Sequence, residues 1–308
     1  MAQILDGKAQ ANVIKAQVKE RIADIMATTT TRPLMAVVQV GDDPASTIYI
    51  GQKEKACAEV NMGFKKISLP GDIKQDDMLA EINALNADPA ICGFMVQQPL
   101  PAQLDADEVV GAIDPRKDVD CLHPYNVGLV SEGLAAAGLV SEGLAPAGDG
   151  KLLPCTPAGV IALLDAYNID LEGKHCVIIG RSRIVGKPLG MMMLNKNATV
   201  TYCHSRTKNL ADITRQADVL AVAVGRAKFV TADMIKPGCV LLDVGINRLA
   251  DGSTGADGSS GDGKKICGDV DYDDCFQKAS YISPVPGGVG PMTVAMLVAN
   301  GLKAWTRQ

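Results

Sequence analysis

Histidine is scarce in this chain, at three in 308 residues, and none of the nine cysteines forms a Cys-x-x-Cys pair. That combination is not a zinc pattern. The cysteines, at 57, 92, 121, 155, 176, 203, 239, 267 and 275, are odd in number, and most lie in apolar strand-like runs. They read as reduced, buried thiols of a cytoplasmic protein. No apolar run reaches the ~20 residues needed to cross a bilayer. The start, Met1 to Asp6, lacks the basic segment and apolar core of a secretory signal. Neither sign of charge dominates: a net charge of −5 gives no global attraction to nucleic acid or acidic lipid. What remains is a soluble globular protein, 47% hydrophobic and 21% charged. It is long enough for two domains of ordinary size.

Strand and helix signals alternate along that length. Ile14, Val18, Ile22 and Ile25 recur at helical spacing, which predicts a helix over 8–27. Strands are predicted at 34–40, 64–69 and 91–96. A helix capped by Ser46 and ended by Gly63 follows the first, and one marked by Met78, Leu79, Ile82 and Leu85 follows the second. The buried face of the Ser46 helix is expected to include Ile48, Ala56 and Val60. Residues 114–150 change character. A polar loop, Asp114 to Cys121, precedes a tandem duplication in which 128–135 recurs as 138–145. Such a short unit reads as a loop duplication near a domain boundary. Thr156-Pro157 suits an N-cap and first helical position. Strands are then predicted at 175–179, 198–203, 219–224 and 239–244, with helices near 186–195, 208–215 and 231–236. A Gly/Asp/Ser-rich loop at 251–265 closes a hairpin, and the tail is an apolar helix to about Trp305. This alternation implies βαβ units and parallel sheets, an α/β fold.

One stretch joins a buried strand to a helix start through glycines: Cys176-Val-Ile-Ile-Gly180-Arg-Ser-Arg-Ile-Val-Gly186-Lys-Pro-Leu-Gly190. It departs from the dinucleotide fingerprint at Ser182 and from the P-loop by one residue of spacing, yet a strand running into such a helix start can bind phosphate. Where an NAD site would place an acid to receive the ribose hydroxyl, this chain has His204-Ser205-Arg206. With Arg181, Ser182 and Arg183 opposite, that composition suits a 2′-phosphate, hence NADP. An ordinary polar turn with incidental arginines is the plainer alternative.

Tyr49 and Lys53, four apart, share a helix face. Partial burial would lower the Lys53 pKa from ~10.4 and make it a proton acceptor; spacing alone equally allows an exposed, solvated lysine. Gln97 and Gln98 directly follow a buried strand, where ligands bind in open parallel sheets, or they satisfy their own turn. Asp118 and Asp120 are too few to hold a metal by themselves, so no metal is assigned. Pro284 to Pro291 joins stiff prolines to small glycines, which suits close approach to a flat ligand or a rigid linker. His123, His175 and His204 form no visible triad.

Seven motifs in order resemble the bifunctional methylenetetrahydrofolate dehydrogenase/methenyltetrahydrofolate cyclohydrolase family. They are Tyr49-Ile-Gly-Gln-Lys53, Val96-Gln97-Gln98-Pro99-Leu100-Pro101, Lys117-Asp-Val-Asp120, Pro154-Cys-Thr-Pro157, Gly180 to Pro188, Asp243-Val-Gly-Ile-Asn247 and Pro284 to Thr293. The resemblance implies two α/β domains flanking a cleft, the C-terminal one a Rossmann-like parallel sheet binding NADP. Residues 1–148 and 286–308 would form the folate-binding catalytic domain, and 149–285 the NADP domain. It implies a homodimer that oxidises 5,10-methylenetetrahydrofolate with NADP and hydrolyses the methenyl product to 10-formyltetrahydrofolate. By the same resemblance Lys53, Gln97, Tyr49 and Asp120 are catalytic, with Asp120 binding the amino-pterin edge. Tyr49, Val96, Gln97, Gln98, Pro99, Leu100, Asp120, Pro286, Gly287, Gly288 and Pro291 would line the folate. Gly180, Arg181, Ser182, Ile184, Val185, Ser205, Arg206 and Ile246 would hold NADP. The chain departs from the family at Gln98, where Leu is common, and at Cys121, where Gly is usual. It also carries longer stretches at 128–150 and 251–265.

Overall fold

The structure, a computed structural model, describes residues 1–29, 31–134, 151–248 and 266–307. The second copy of the duplication and the 251–265 loop lie outside the described residues. The strands are β1 (Gln3–Ile4), β2 (Leu34–Val40), β3 (Gly63–Leu69), β4 (Gly93–Val96), β5 (His175–Ile179), β6 (Thr199–Cys203), β7 (Val219–Val222), β8 (Val240–Asp243), β9 (Asn247–Arg248), β10 (Ile266–Cys267) and β11 (Tyr281–Ile282). The helices are α1 (Gly7–Met26), α2 (Pro44–Glu59), α3 (Gln75–Ala87), α4 (Ala106–Gly111), α5 (Pro124–Ser131), α6 (Cys155–Ala166), α7 (Gly186–Leu194), α8 (Leu210–Thr214), α9 (Tyr272–Phe276) and α10 (Val289–Trp305).

The chain divides into two compact units. One comprises Ala11–Ala158 and Thr293–Gln308; the other comprises Met1–Gln10 and Gly159–Met292. This differs from the expected partition at both ends. β1 pairs in parallel with β11, and Lys8 N donates to Gly287 O at 2.9 Å, so the first ten residues fold with the later unit. Gly288 N donates to Pro284 O at 2.8 Å, and residues 286–292 stay with the same unit.

The first unit is built on a parallel sheet in the order β3-β2-β4. Alternation along a strand sends Ala36, Val38 and Val40 to one face. There they pack with Met78, Ile82 and Leu85 of α3 and with Val109 of α4. Full burial of each large aliphatic side chain contributes roughly 1.5–3 kcal/mol. Met35, Val37, Gln39 and Met95 occupy the opposite face, and α10 approaches that face. A Cβ added at Gly301 would lie 3.6 Å from Met35 Sδ.

Helix α2 starts one cap earlier than expected. Asp43 Oδ2 accepts from Ser46 N at 2.7 Å. Pro44 takes the first helical position, where its missing N–H costs nothing. Ser46 is therefore inside the first turn and buried. Ile48, expected on the buried face, is 53% exposed; Ala56 and Val60 are buried as expected, together with Ile50 and Cys57. Helix α6 likewise begins at Cys155, ahead of the predicted Thr156 cap, because Ala158 N closes the first turn on Pro154 O at 2.9 Å. The polar stretch after Asp114 is partly interior. Lys117 Nζ donates to Leu85 O at 3.2 Å and to Asp88 O at 2.7 Å. It thereby caps the C-terminal end of α3. Asp118 Oδ2 accepts from His123 N (2.8 Å) and Asn126 Nδ2 (3.0 Å).

The second unit carries a parallel sheet in the order β1-β11-β8-β7-β5-β6. β6 and β7 lie on opposite sides of β5, so the strand order reverses there, the place where such sheets bind ligands. Val177, Ile179, Leu220, Val222, Leu241 and Ile282 fill one side of its core. β9 and β10 pair antiparallel on either side of the predicted loop. All nine cysteines are free, and all but Cys267 are buried.

Candidate active site and cofactor loop

In the first unit, Lys53 projects from α2 toward the end of β4. Its Nζ donates to Gln97 Oε1 at 2.7 Å and lies 3.2 Å from Met95 Sδ. Gln97 Nε2 donates to Gln98 O at 2.7 Å, which fixes the amide with its oxygen toward the lysine. Gln97 N continues the ladder to Val38 O at 2.9 Å, so the side chain sits at the carboxyl end of the sheet. Met95 was not singled out by sequence. The signal was its place two residues before Gln97, which puts both side chains on one face.

Burial lowers the Lys53 pKa, and the charge of Asp120 opposes that effect. Burial raises the Asp120 pKa, and the charge of Lys53 opposes it in turn. The two groups are thus driven toward each other in proton affinity, as suits a site that moves protons. Cys155 is the other unpredicted member. Its thiol reaches the Asp120 carboxylate and lies 3.4 Å from Val119 O, and burial pushes its own pKa well above the usual thiol range. Nothing in the spacing of Cys155 and Asp120 signalled this contact. Tyr49 lies one turn before Lys53 and is half-buried; Val96 is buried, Gln98 and Leu100 half-buried, and Pro99 exposed. The Gln98–Pro99 peptide is cis.

Asp120 lies in a turn just past a one-residue bridge, closed by Cys121 N donating to Asp118 O at 3.1 Å. Phe94 N donates to Lys117 O at 2.8 Å, and Phe94 bridges to Asp118 in parallel fashion. Cys121 ends the turn at φ 58°, a left-handed conformation that explains why glycine suits this position. The side chain is nonetheless accommodated: it is fully buried, and Sγ lies 3.3 Å from Leu152 O.

In the second unit, Gly180 and His204 follow the adjacent strands β5 and β6 directly, so the predicted phosphate loop and the Ser205-Arg206 turn leave neighbouring carboxyl ends. Gly180 has φ 127°, and a Cβ there would lie 2.3 Å from Ala223 O. A Cβ at Gly186 would lie 2.3 Å from Gly180 O. The turn is too tight for any other residue at either place. Ser182 Oγ accepts from Val185 N at 3.1 Å and from Gly186 N at 3.3 Å. It therefore caps α7 itself. Those two N–H groups are already partnered; Arg181, Ser205 and Arg206 are all exposed and carry side chains able to donate to an anion. Ile184 and Ile246 are each 43% exposed, which leaves apolar surface for a flat ring. The tight turn, cationic donors and exposed isoleucines fit a phosphorylated dinucleotide.

The turn bearing Ile246 is pinned by two buried carboxylates. Asp243 accepts from Gly245 N (3.0 Å), Asp269 N (2.9 Å) and Val270 N (2.9 Å). Asp269 accepts from Val224 N, Gly225 N, Arg226 N and Asn247 Nδ2 at 2.6–2.9 Å. Burial pushes the Asp243 pKa up to about 7 despite its backbone donors. Pro286 to Pro291 lies in this same unit. The Val285–Pro286 peptide is cis, and Gly287 has φ 108°.

Two family models match the chain. The tetrahydrofolate dehydrogenase/cyclohydrolase catalytic domain matches residues 5–120, and the NAD(P)-binding domain of the same family matches 154–308. The chain belongs to the tetrahydrofolate dehydrogenase/cyclohydrolase family. The bifunctional protein FolD of Chlorobium phaeobacteroides is 47% identical over 99% of this chain and 98% of its own length. Among solved structures, the bifunctional FolD methylenetetrahydrofolate dehydrogenase/cyclohydrolase of Campylobacter jejuni is 43% identical with a TM-score of 0.89, covering 100% of this chain and 99% of that one. The FolD of Trypanosoma brucei, solved with NADP cofactor and an inhibitor, is 33% identical with a TM-score of 0.88 over 99% and 98%. Family membership accounts for both halves of the motif series, the first in the catalytic domain and the second in the NAD(P)-binding domain.

Proposed function

We propose that this chain oxidises 5,10-methylenetetrahydrofolate with NADP and hydrolyses the resulting methenyl compound to 10-formyltetrahydrofolate, with Lys53 as the group that moves protons in the hydrolytic step. The observation that carries this reading is the Lys53–Gln97 hydrogen bond of 2.7 Å beside Asp120. Burial holds Lys53 below the ordinary lysine pKa, so more of it is neutral near neutral pH than an exposed lysine would be. A neutral amine can take a proton from water attacking the methenyl carbon and return it to the departing ring nitrogen. Gln97 orients that amine, since its own amide cannot turn without giving up the bond to Gln98 O.

In this reading Asp120 accepts from the adjacent N–H donors of the amino-pterin edge, and Tyr49 stacks on or orients the ring. Val96, Gln98, Pro99 and Leu100 line the folate site; Pro286, Gly287, Gly288 and Pro291 are read as folate-binding residues as well. NADP, when bound, supplies the hydride acceptor of the first reaction. Gly180, Ile184, Val185 and Ile246 hold its flat and neutral parts, and Arg181, Ser205 and Arg206 receive its phosphates. Ser182 accepts from two N–H groups at the start of α7 and keeps its O–H to donate to the cofactor.

We extend the reading to a cytoplasmic homodimer. Nine free thiols support a reducing compartment, and no helix among the described residues is long and apolar enough to cross a membrane. Sedimentation of the purified protein decides the dimer.

The test is Lys53→Met assayed on the two substrates separately. Methenyl hydrolysis should fall at least a thousandfold, an amount within the reach of a lost general base combined with lost orientation. NADP binding should be unchanged. Hydrolysis at the wild-type rate would overturn the assignment of Lys53.

A further inference from the structure

Asn300 lies on α10 and is fully buried. Its Nδ2 donates to Val119 O at 2.8 Å and to Leu153 O at 2.7 Å, and it lies 3.6 Å from Cys155 Sγ. Its Oδ1 accepts from Leu153 N at 3.4 Å. Both amide hydrogens are thus spent on backbone carbonyls, and the amide has one orientation only.

The carbonyl of Val119 belongs to the peptide unit that leads into Asp120. A peptide unit is planar, so the direction of Val119 C=O fixes the plane that also holds Asp120 N and Cα. The two ends of the Asp120 residue are then set from different sides. Asn300 holds the peptide before it. Cys121 holds the one after it, through Cys121 N to Asp118 O at 3.1 Å and its Sγ to Leu152 O at 3.3 Å. Val119 N adds a long bond to Phe94 O at 3.4 Å. The Cys155 thiol, within reach of both Val119 O and the Asp120 carboxylate, sits against the same amide.

We propose that Asn300 is a positioning residue for Asp120, setting its peptide plane and hence the direction in which its carboxylate meets the substrate. This rests on the reading of Asp120 as the group that binds the pterin edge. It assigns to the C-terminal helix a part in folate affinity, in addition to its part in the core. A buried asparagine that merely filled space would be replaced by leucine, which branches at the same carbon, with little effect on the substrate.

The test is a double-mutant cycle on the full chain, reading KM for methylenetetrahydrofolate, kcat and the Kd for NADP. Asn300→Leu should raise the folate KM about tenfold, because small misplacements of a binding group cost that order. It should change kcat less than twofold and leave NADP binding alone. In an Asp120→Ala background the same substitution should add nothing, since the group it places is gone. A full tenfold loss in that background would overturn the proposal, as would equal losses in folate and NADP binding. A raised KM in Asp120→Ala with an unchanged one in Asn300→Leu would overturn the tether while sparing Asp120. An unchanged KM in Asp120→Ala would remove the folate role of Asp120, and the tether with it. Should Asn300→Leu not fold, Asn300→Ser, which keeps one donor for Val119 O, carries the same cycle with a smaller rise, about threefold.

Discussion

Lys53 Nζ and Gln97 Oε1 are 2.7 Å apart, although the two residues stand 44 positions apart in the chain. The lysine comes from the third turn of α2 and the glutamine from the first residue past β4, so the contact exists only because α2 packs on that face of the parallel sheet. Its chemical consequence is a lysine that is partly buried, oriented by a neutral acceptor, and balanced by the nearby carboxylate of Asp120.

That balance has a sign that can be measured. The Asp120 charge raises the Lys53 pKa against the larger, lowering effect of burial. Asp120→Asn removes the opposing charge, so the Lys53 pKa falls further. The acid limb of the pH–rate profile for methenyl hydrolysis should therefore move to lower pH in this variant, alongside a raised folate KM. A limb that stays in place or moves to higher pH would show that Asp120 and Lys53 are not coupled in this way.

Gln39 is 2% exposed on β2, on the face that also carries Met95. Its Nε2 donates to Thr47 Oγ1 at 3.1 Å, but its Oε1 has no partner among the described residues. A buried acceptor without a donor costs about 1–3 kcal/mol, more than the single hydrogen bond of about 1 kcal/mol that Gln39 makes. Gln39→Met keeps the length of the side chain and removes both polar atoms. The variant should unfold at a higher temperature than the parent, by a few degrees in calorimetry; a lower Tm would mean that the oxygen is satisfied.

Cys121 sits at φ 58° with its side chain fully buried. At most buried positions alanine is better than glycine, because it fills space and narrows the unfolded ensemble. Here the left-handed backbone penalises any Cβ by about 1–2 kcal/mol. Cys121→Gly should therefore be more stable than Cys121→Ala, by roughly 1 kcal/mol in urea unfolding. The opposite order would show that the left-handed conformation carries no cost here.

Gly186 leaves 2.3 Å between an added Cβ and Gly180 O. Backbone cannot yield as a flexible side chain can, so Gly186→Ala should force the loop over 180–186 apart. The expected result is a KM for NADP raised roughly a hundredfold, with methenyl hydrolysis, which uses no NADP, within about twofold of the parent. Isothermal titration with NADP and a hydrolysis assay separate the two. Equal losses in both would point to unfolding instead of a local effect at the cofactor loop.

The linear order of residues determined a good deal. Periodicity and glycine placement gave β2 at 34–40 and β5 at 175–179 as the fold has them, because strands buried on both faces are continuous apolar runs. The helical spacing of Ile14, Val18 and Ile22 gave α1. The break at Gly180 was legible because a tight turn demands glycine, a local requirement. Where local signals competed, the nearer one failed. Ser46 looked like the cap of α2, but Pro44 at the first helical position made Asp43 the cap.

Only the tertiary structure decided what the polar residues do. Asp118 and Asp120 are two apart and indistinguishable by sequence physics. One satisfies His123 N and Asn126 inside the fold, and the other faces Lys53. Ser182, read as part of a phosphate loop, also accepts from two N–H groups at the start of α7. Cys155 and Asn300 carried no marker of their own, since apolar or small polar residues in buried elements look alike until a partner is beside them. The reason is general: pKa values, orphaned acceptors and hydrogen-bond partners depend on burial and on contacts across long stretches of chain, and no local pattern encodes either.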